Sequence, residues 1–288
     1  MKHRNIMKVS GCLILLFLMT FIGGCSASSN VPKKAPLQTA LLRVGKADAI
    51  VVWSGRHARL IDTGEEDDGE EVVDFLNCHS ITDIDAMIIT HFDQDHVGGA
   101  DTVLKEMNVK DIYVPDYKGD HMEYTDFLTA VSNSDASMHR LSETVSFPFS
   151  DADVLIEPPD SYQVENENCD YDNNFSLITT ITHGQNRLVF MGDAEKQRIN
   201  EWLKGDSARK CNFLKVPHHG IYNTALEQLF KKLDPDISVI CSSKKNPADT
   251  KTTELLHVYC PHVYETKDGD MLIISDGKHL ESSQKIKR

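Results

Sequence analysis

The chain has 288 residues, of which 40% are hydrophobic and 26% are charged, and this suits one large α/β domain with a sizeable buried core. Its formal net charge of −14 would repel a long phosphate backbone. The composition therefore argues against extended nucleic-acid binding.

The first 24 residues have the pattern of an export signal. Lys2, Arg4 and Lys8 precede an apolar run over residues 13–22 that is too short to span a membrane comfortably. Removal of this segment takes away three basic residues and no acidic one, so the formal charge changes from −14 to about −17. We therefore predict an exported and strongly acidic mature protein.

The signal ends in the motif IGGC, which closes at Cys25 and resembles the lipobox of bacterial lipoproteins. The resemblance implies that Cys25 is lipidated and anchors the protein to the cell membrane, on the extracytoplasmic face. A plain cleaved signal and an uncleaved anchor are the alternatives, and both also place the domain outside the cytoplasm. We predict a signal peptide over residues 1–24, a tether over 25–37 and a single folded domain over 38–288.

Short predicted strands occur early in the domain, and helices alternate with strands later. ALLRVG, DAIVVWS and HARLIDTG predict strands, EEVVDFLNCHS an amphipathic helix, and DIDAMIITH the next strand. VGGADTVLKEM predicts a helix and DIYVPDY a strand, and a looser stretch follows from about 117 to 173. A hairpin in NFSLITTITHGQNRLVFMGD and further helices and strands complete a layered α/β sandwich.

The loop THFDQDHVGG, residues 90–99, places His91, Asp93, Asp95 and His96 within six positions. Imidazole and carboxylate groups are ligands that suit zinc, manganese or iron. Four such groups on so short a loop cannot comfortably surround one ion, but its two halves can serve two neighbouring ions. We expect the two glycines that follow to let the backbone turn tightly into a helix.

The same loop resembles the signature of metallo-β-lactamase-fold hydrolases, in the variant found in the hydrolase domain of ComEC-type competence proteins. RVGKADAIVV, LIDTG, NNFSLITT, VFMGD and LKVPHHG follow that family's order and rough spacing across nearly the whole mature chain. The resemblance implies an αββα four-layer sandwich. It also implies two divalent metal ions, zinc or manganese.

The resemblance assigns the ligands as well. His91 and Asp93 would bind the first ion, Asp95 and His96 the second, and Asp193 would bridge them. The HHG motif would supply a distal ligand from His218 or His219, and the sequence leaves this choice open. The resemblance implies catalytic roles for the following residues: Asp95, Asp193 and Asn174.

The predicted hairpin supports the position of Asp193. A strand that leaves the site at Asn174 ends roughly 25 to 30 Å away at about 3.3 Å per residue, and the second strand returns to Asp193. His183, on the distant turn, should therefore not be a ligand. Asn173, Asn174 and Ser176 are either active-site groups or a turn that opens a strand.

One aspartate, two histidines and the cysteines give weaker evidence of a role in the site. Asp62 in LIDTG is predicted to hydrogen-bond the ligand loop, a role that metal sites commonly require, or else to cap a strand end. His121 and His139 could approach the site from a lid, but they belong to no motif and are predicted to be surface histidines. Five cysteines remain in the mature domain, without metal-type spacing, and we assign them no role.

Two segments depart from the competence-protein pattern. GKAD stands where that family usually has GQGD, and SSKKNPADTKTTELL replaces a segment that ends in YGHP. The second departure and the absence of a membrane channel argue against a DNA substrate, and exported teichoic-acid phosphorylcholine esterases are the alternative relatives. The sequence thus predicts a phosphodiesterase whose two ions lower the pKa of a water and orient it against phosphorus.

Three other functions remain open from the sequence. They are a nuclease that acts on DNA, a carbonyl hydrolase of the lactonase or β-lactamase type, and a metal-stabilised surface module without turnover. The full ligand set argues against the module, because a binding module has no need of an open bimetal site. The sequence does not indicate an oligomeric state.

Overall fold

The computed structural model describes residues 35–163 and 171–284. The predicted signal peptide, Cys25 and most of the tether lie outside these residues. Among the described residues, no helix combines the length and the apolar character needed to cross a membrane.

Two mixed β-sheets form the inner layers. Within the described residues the first sheet has eight strands in the order β15-β14-β1-β2-β3-β4-β5-β6, and the second has seven in the order β13-β12-β11-β10-β9-β8-β7. The strands of the first sheet are β1 Leu37–Leu41, β2 Ala49–Ser54, β3 His57–Thr63, β4 Asp83–Ile88, β5 Asn108–Pro115, β6 Ser137–Leu141, β14 Met271–Ser275 and β15 Leu280–Gln284. The strands of the second sheet are β7 Val145–Phe149, β8 Ala152–Glu157, β9 Ile178–His183, β10 Asn186–Phe190, β11 Phe213–Lys215, β12 Ile237–Ile240 and β13 His262–Glu265.

Helices cover the outer faces of both sheets. The α-helices are α1 Gly69–Cys78, α2 Gln94–Val97, α3 Ala100–Glu106, α4 Met122–Ser132, α5 Tyr171–Asn174, α6 Lys196–Trp202, α7 Leu226–Leu233 and α8 Thr250–Tyr259. Short 3-10 helices are found at Glu66–Asp68, Pro217–Gly220 and Thr266–Asp268.

Three apolar clusters hold these layers together. The middle cluster lies between the sheets and joins side chains such as Ile50 and Ile61 to Leu188 and Phe213. A second cluster packs α1, α3 and α4 on the first sheet, and a third packs α6, α7 and α8 on the second. The predicted αββα sandwich is therefore confirmed.

The stretch from 117 to 163 is more regular than the sequence analysis predicted. It contains helix α4 and strands β6, β7 and β8, and α4 buries Tyr124, Phe127 and Ala130 against the first sheet. These residues are three positions apart, so they form one narrow apolar stripe on an otherwise polar helix. Expecting a loose segment was wrong because so narrow a stripe gives only a weak periodic signal.

The predicted hairpin is confirmed. Strands β9 and β10 pair antiparallel, with Asn186 opposite His183 at the turn and Phe190 opposite Thr179 at the other end. The chain therefore enters and leaves this hairpin at the same end. His183 is buried at the turn, where its Nδ1 lies 2.7 Å from Ser275 Oγ.

Candidate metal centre

The ligand loop changes conformation between its two histidines. Strand β4 ends at Ile88, and Asp93 is the extended residue immediately before the single-turn helix α2. Asp95 and His96 lie within that helical turn, whereas His91 precedes it. The two halves of the loop can therefore face different points, as the residue spacing predicts.

Gly98 and Gly99 follow the helix, but neither has a left-handed backbone. Their φ angles are −57° and −78°, values that any residue adopts. A Cβ on Gly99 would come within 2.4 Å of the Thr63 carbonyl oxygen, and one on Gly98 within 2.5 Å of the Gln94 carbonyl oxygen. Gly98 and Gly99 thus form the turn that leads into α3, as expected, and they are needed for close backbone packing and not for a left-handed conformation.

Four residues from three parts of the chain meet in what we call the inner cluster: Asp95, His96, Asp193 and His219. Their potential ligand atoms all lie within 4.8 Å of one another. His219 Nε2 lies 3.0 Å from Asp193 Oδ2 and 3.4 Å from Asp95 Oδ2. His96 Nε2 lies 3.3 Å from Asp193 Oδ1. Asp193 thus lies between both imidazoles of the inner cluster, and its role as a ligand shared by two ions stays a prediction.

The backbone of the HHG motif separates its two histidines. His218 and His219 both have left-handed conformations, with φ of 48° and 50°, which is strained for residues with a Cβ. His219 faces the inner cluster, whereas His218 Nδ1 lies 3.1 Å from Glu195 Oε1. Because successive side chains diverge in this conformation, the described contacts bring His219 into the cluster and leave His218 outside it.

The imidazole nitrogens in this region fit a metal ion. Within residues 35–163 and 171–284, the Nε2 atoms of His91, His96 and His219 are buried and have no hydrogen-bond partner. Their nearest polar neighbours are carboxylate oxygens, at 3.0 Å for His219, 3.3 Å for His96 and 3.5 Å for His91, so a proton or a cation must lie between the atoms of each pair. Neutral imidazole nitrogens beside carboxylates form the donor set that a divalent transition metal prefers.

The opposite nitrogen of each ring is held in place. His96 Nδ1 lies 2.8 Å from Asp62 Oδ2, and His219 Nδ1 donates to the Cys241 carbonyl oxygen at 3.0 Å. His91 Nδ1 lies 3.0 Å from Thr90 Oγ1. Such contacts fix the ring orientation and leave Nε2 available to a metal.

Asp62 joins the ligand loop to His96, which confirms the predicted hydrogen bonds to that loop. Its Oδ1 accepts from the Thr90 backbone amide and its Oδ2 from the Thr90 hydroxyl, both at 2.7 Å. Asp62 has a φ of 59° at the end of β3, another left-handed residue with a Cβ. One carboxylate thereby fixes both the backbone and one imidazole of the candidate site.

Burial and neighbouring charges strongly shift the pKa values of groups in the inner cluster. Burial opposes a positive charge on His219, but the charge of Asp193 outweighs burial and raises the pKa of His219 to about 9. Burial also opposes ionisation of Asp193, yet His219, His96 and Lys215 hold its pKa well below the ordinary value. Carboxylates here stay ionised, and a metal ion would replace protons on the imidazoles.

Lys215 and Asp48 form a buried ion pair beside the inner cluster. Lys215 Nζ also donates to the Gly192 carbonyl oxygen at 2.9 Å and lies 3.4 Å from Asp193 Oδ1. Burial disfavours the ammonium, but Asp48 and Asp193 raise the pKa of Lys215 above its ordinary value. A permanent positive charge therefore offsets part of the acidic charge around Asp193.

A second set of potential ligands, the outer group, consists of Asp93, His121 and Asp172, whose candidate atoms lie within 4.8 Å of one another. His91 adjoins this group, because its Nε2 lies 3.5 Å from Asp93 Oδ2. Burial raises the pKa of Asp172 to about 6, and the charge of Asp93 acts in the same direction. His121 is a surface histidine, as predicted, and it lies beside the candidate site.

Asn174 lies near the site but has a structural contact. Its Oδ1 accepts a hydrogen bond from the Arg198 backbone amide at 3.0 Å, in the first turn of α6. Ser176 Oγ accepts one from the Asp193 backbone amide at 3.1 Å. These contacts position α6 and Asp193, and a catalytic role for Asn174 stays a prediction.

Two adjoining clefts open over the candidate site and share Lys46 and Asn246. One has a volume of about 300 Å³ and is lined by Lys46, Glu65, Asp93, Gln94, Asp95, His121 and Asn246. The other has a volume of about 620 Å³ and includes His219, Lys245 and Thr250. Residues 245–250 of the segment that departs from the competence-protein pattern therefore line the entrance.

Sequence reasoning missed Asp48, Lys215 and Asp172. A signal was present for the first two, since Asp48 is the last residue of GKAD and Lys215 interrupts the apolar strand FLKV just before HHG. Charged residues inside apolar strands are rarely buried without partners. Asp172 had no comparable signal, because it belongs to a polar stretch in which any of several residues could face the site.

Comparisons of the sequence with known proteins agree with this geometry. A model of the metallo-beta-lactamase superfamily matches residues 42–165. ComE operon protein 3 of Bacillus subtilis (strain 168) is 28% identical over 256 residues, which cover 82% of this chain and 31% of that protein. Recombination protein 2 of Haemophilus influenzae is 27% identical over 271 residues, which cover 91% of this chain and 31% of that protein. The chain thus spans about a third of the length of these curated relatives.

Solved structures show the same fold at low sequence identity. The metallo-beta-lactamase fold protein YhfI from Bacillus subtilis matches with a TM-score of 0.55 and 10% identity, over 86% of this chain and 100% of that chain. Zn²⁺-bound PqqB from Methylobacterium extorquens matches with a TM-score of 0.50 and 11% identity, over 78% of this chain and 97% of that chain. Fold, motifs and relatives thus agree: the chain has the metallo-β-lactamase fold and is similar to ComEC-type competence proteins.

Proposed function

We propose that the protein is a metal-dependent phosphodiesterase that acts outside the cytoplasm on small or surface-polymer substrates. The observation that carries this proposal is the inner cluster, where buried Nε2 atoms without hydrogen-bond partners among the described residues face two carboxylates. A donor set of this kind matches a divalent transition metal, and the metallo-β-lactamase fold supports a metal-dependent hydrolase in general.

The residues divide between two ion positions in this proposal. Asp95, His96 and His219 would hold one ion, His91 and Asp93 the other, and Asp193 both. Bound divalent ions would supply Lewis acidity, which activates water and stabilises negative charge on phosphate oxygens. Asp62 and Lys215 would keep the ligands oriented through their hydrogen bonds and charge.

The entrance supports an anionic substrate of limited size. Lys46 and Lys245 line the clefts over the inner cluster, although the chain as a whole is strongly acidic. Two lysines and the Asn246 amide can bind one or two phosphate groups by charge and hydrogen bonds. A long polyanion would need many more cations along its path.

The test is a substrate panel measured on the metal-loaded protein, with zinc and manganese compared. We expect turnover of a bis-aryl phosphodiester, and little or none of a phosphomonoester, a lactone or a β-lactam. The matched variant Asp95→Ala should bind one ion fewer and lose most of this turnover. Preferential lactone hydrolysis, or metal binding without turnover of any substrate, would reject the proposed function.

A nuclease is the second candidate, because the relatives named ComE operon protein 3 and Recombination protein 2 suggest DNA as a substrate. The two candidates differ in salt dependence. A DNA-binding enzyme loses affinity by about 0.9 log units per phosphate contact for each log unit of salt. We expect phosphodiester turnover to vary weakly with salt, and efficient DNA cleavage that collapses at moderate salt would favour the nuclease.

The proposed location depends on Cys25 and the apolar run before it, which lie outside the described residues. We expect a radioactive fatty acid to label the wild-type protein, and Cys25→Ala to abolish this labelling. The variant should remain unprocessed in the membrane or be released. Unchanged labelling of Cys25→Ala would exclude Cys25 as the anchor and leave the hydrolase proposal unaffected.

A further inference from the structure

We propose that Asp172 is the third protein ligand of the first metal position, beside His91 and Asp93. This inference rests on the proposed dinuclear centre and deepens it. The sequence motifs assign only His91 and Asp93 to that position alone, and Asp193 is a ligand that it would share with the second position. The outer group contains a further carboxylate at the same place.

The geometry brings a carboxylate oxygen of Asp172 close to Asp93. Candidate ligand atoms of Asp172 and Asp93 lie within 4.8 Å of each other. Asp93 Oδ2 in turn lies 3.5 Å from His91 Nε2. The rings of His91 and His96 have centroids 4.1 Å apart, so this position adjoins the inner cluster.

Two polar atoms of this position are buried and lack a well-aligned hydrogen bond. Asp172 is 8% exposed, and His91 is 0% exposed. Asp172 Oδ1 and His91 Nε2 form no hydrogen bond with any residue that the structure describes. A divalent cation satisfies an orphaned carboxylate oxygen and an orphaned imidazole nitrogen together, and it offsets the repulsion between Asp172 and Asp93.

Asp172 is also tied to the ligand loop. Its carboxylate interacts with the Tyr117 hydroxyl, and that hydroxyl accepts a hydrogen bond from the Phe92 backbone amide at 2.9 Å. Phe92 lies between the two predicted ligands His91 and Asp93 in the chain. Tyr117 therefore holds Asp172 at a fixed place relative to both.

His121 is a weaker candidate for the same role. Its side chain is 50% exposed, and its Nε2 lies 3.5 Å from Asp120 Oδ1. Ordering an exposed side chain costs conformational entropy that Asp172 does not incur. We therefore assign the ligand role to Asp172, and we expect the first position to form without His121.

The experiment measures metal content and binding without any substrate. Metal-free protein is titrated with Mn²⁺ by calorimetry, the bound metal is counted by elemental analysis, and electron paramagnetic resonance detects coupling between two Mn²⁺ ions. The test variants are Asp172→Asn, which is nearly the same size, and Asp172→Ala. Asp120→Asn, which removes a neighbouring negative charge, is the control, and His121→Ala tests the weaker candidate for the ligand role.

We expect two ions per chain and a coupled signal in the wild type, in the control Asp120→Asn and in His121→Ala, since the ligand role is assigned to Asp172. Both Asp172 variants should lose the coupled signal and bind one ion, or bind the second at least about tenfold more weakly. Far-ultraviolet circular dichroism should confirm that the variants are folded. Two ions with unchanged affinity in the Asp172 variants, or a single ion in the wild type, would overturn the inference.

This experiment separates the inference from the proposed function. A wild type that binds two ions and hydrolyses no phosphodiester would reject the function but leave Asp172 as a ligand. If the wild type hydrolyses the phosphodiester and Asp172→Asn still binds two ions with unchanged affinity, the proposed function stands and Asp172 is not a ligand.

Discussion

The inner cluster and the outer group lie side by side but differ in how they are supported. His96 and His219 each have a second ring nitrogen held by a buried acceptor, and Lys215 faces Asp193 from behind. In the outer group, the Asp93 side chain is 25% exposed and Asp172 is tied through one tyrosine. Supported ligands stay in place without a metal, whereas exposed ones must be ordered when it binds.

This difference has a consequence for metal binding. The inner cluster should bind its ion more tightly, because its ligands are already oriented and need little rearrangement. The outer group, of which Asp93 and His121 line the cleft, should bind more weakly and exchange faster. An enzyme with one firmly held ion and one accessible ion can admit substrate at the accessible side.

Asp193 is the residue proposed to serve both positions, so its loss should have the largest effect. We expect Asp193→Ala to lose most bound metal and to lower hydrolysis by about 10³-fold or more, since metal ions contribute several kcal/mol to transition-state stabilisation. Elemental analysis and turnover of the phosphodiester measure both effects. Asp206→Ala, an exposed residue, is the control, and near-normal metal content in Asp193→Ala would remove this residue from the site.

The buried ion pair between Lys215 and Asp48, which adjoins the inner cluster, can be tested by substitution of Lys215. Lys215→Met should lower the free energy of unfolding by about 3 to 5 kcal/mol, because it leaves Asp48 buried without its cation. Urea unfolding of the metal-free protein measures this change. The double variant Lys215→Met/Asp48→Asn should recover part of the loss. If the changes in the free energy of unfolding caused by Lys215→Met and by Asp48→Asn simply add in the double variant, the two side chains do not stabilise each other.

Asp62 offers a milder test of the same support. Asp62→Asn should weaken binding of the inner ion by about 10- to 100-fold, as is usual when a residue behind a metal ligand is changed. Asparagine tolerates the left-handed backbone at this position, so the substitution adds little strain. Competition with a chromogenic chelator measures the affinity. Asp67→Asn, which changes an exposed carboxylate, should have no effect.

The smallest expected effect is on the alkylation of the buried cysteines. Their reactivity shows whether reagents reach the interior of the folded protein. Burial raises the pKa of Cys211 to about 12, and burial and Asp48 raise the pKa of Cys241 well above its ordinary value. Since the thiolate is the reactive form, neither should be alkylated at pH 8 in the folded protein. Cys78 is exposed and should react.

Mass spectrometry of the alkylated peptides assigns each thiol separately. Cys241 lies beside His219, whose Nδ1 donates to its carbonyl oxygen, so it reports on the inner cluster. Rapid labelling of Cys241 in the metal-free protein would mean that the inner cluster opens without its ion. That outcome would remove the proposed difference between the two regions.

The sequence by itself determined the fold and the identity of most candidate ligands. THFDQDHVGG places four potential ligands within one loop, and local spacing alone indicates two positions. The hairpin that returns the chain to Asp193 was also predictable, because strand length and a short turn fix where both ends lie. These features depend on residues close together in the chain.

The tertiary structure decided what depends on contacts between distant segments. Two identical neighbours, His218 and His219, differ only in the direction that a left-handed backbone gives them, and no local pattern encodes this choice. Asp48 meets Lys215, and Asp172 meets Asp93, across long separations in sequence. Burial and facing charges arise only when the two sheets pack together, and they determine which carboxylates and imidazoles are available to a metal ion.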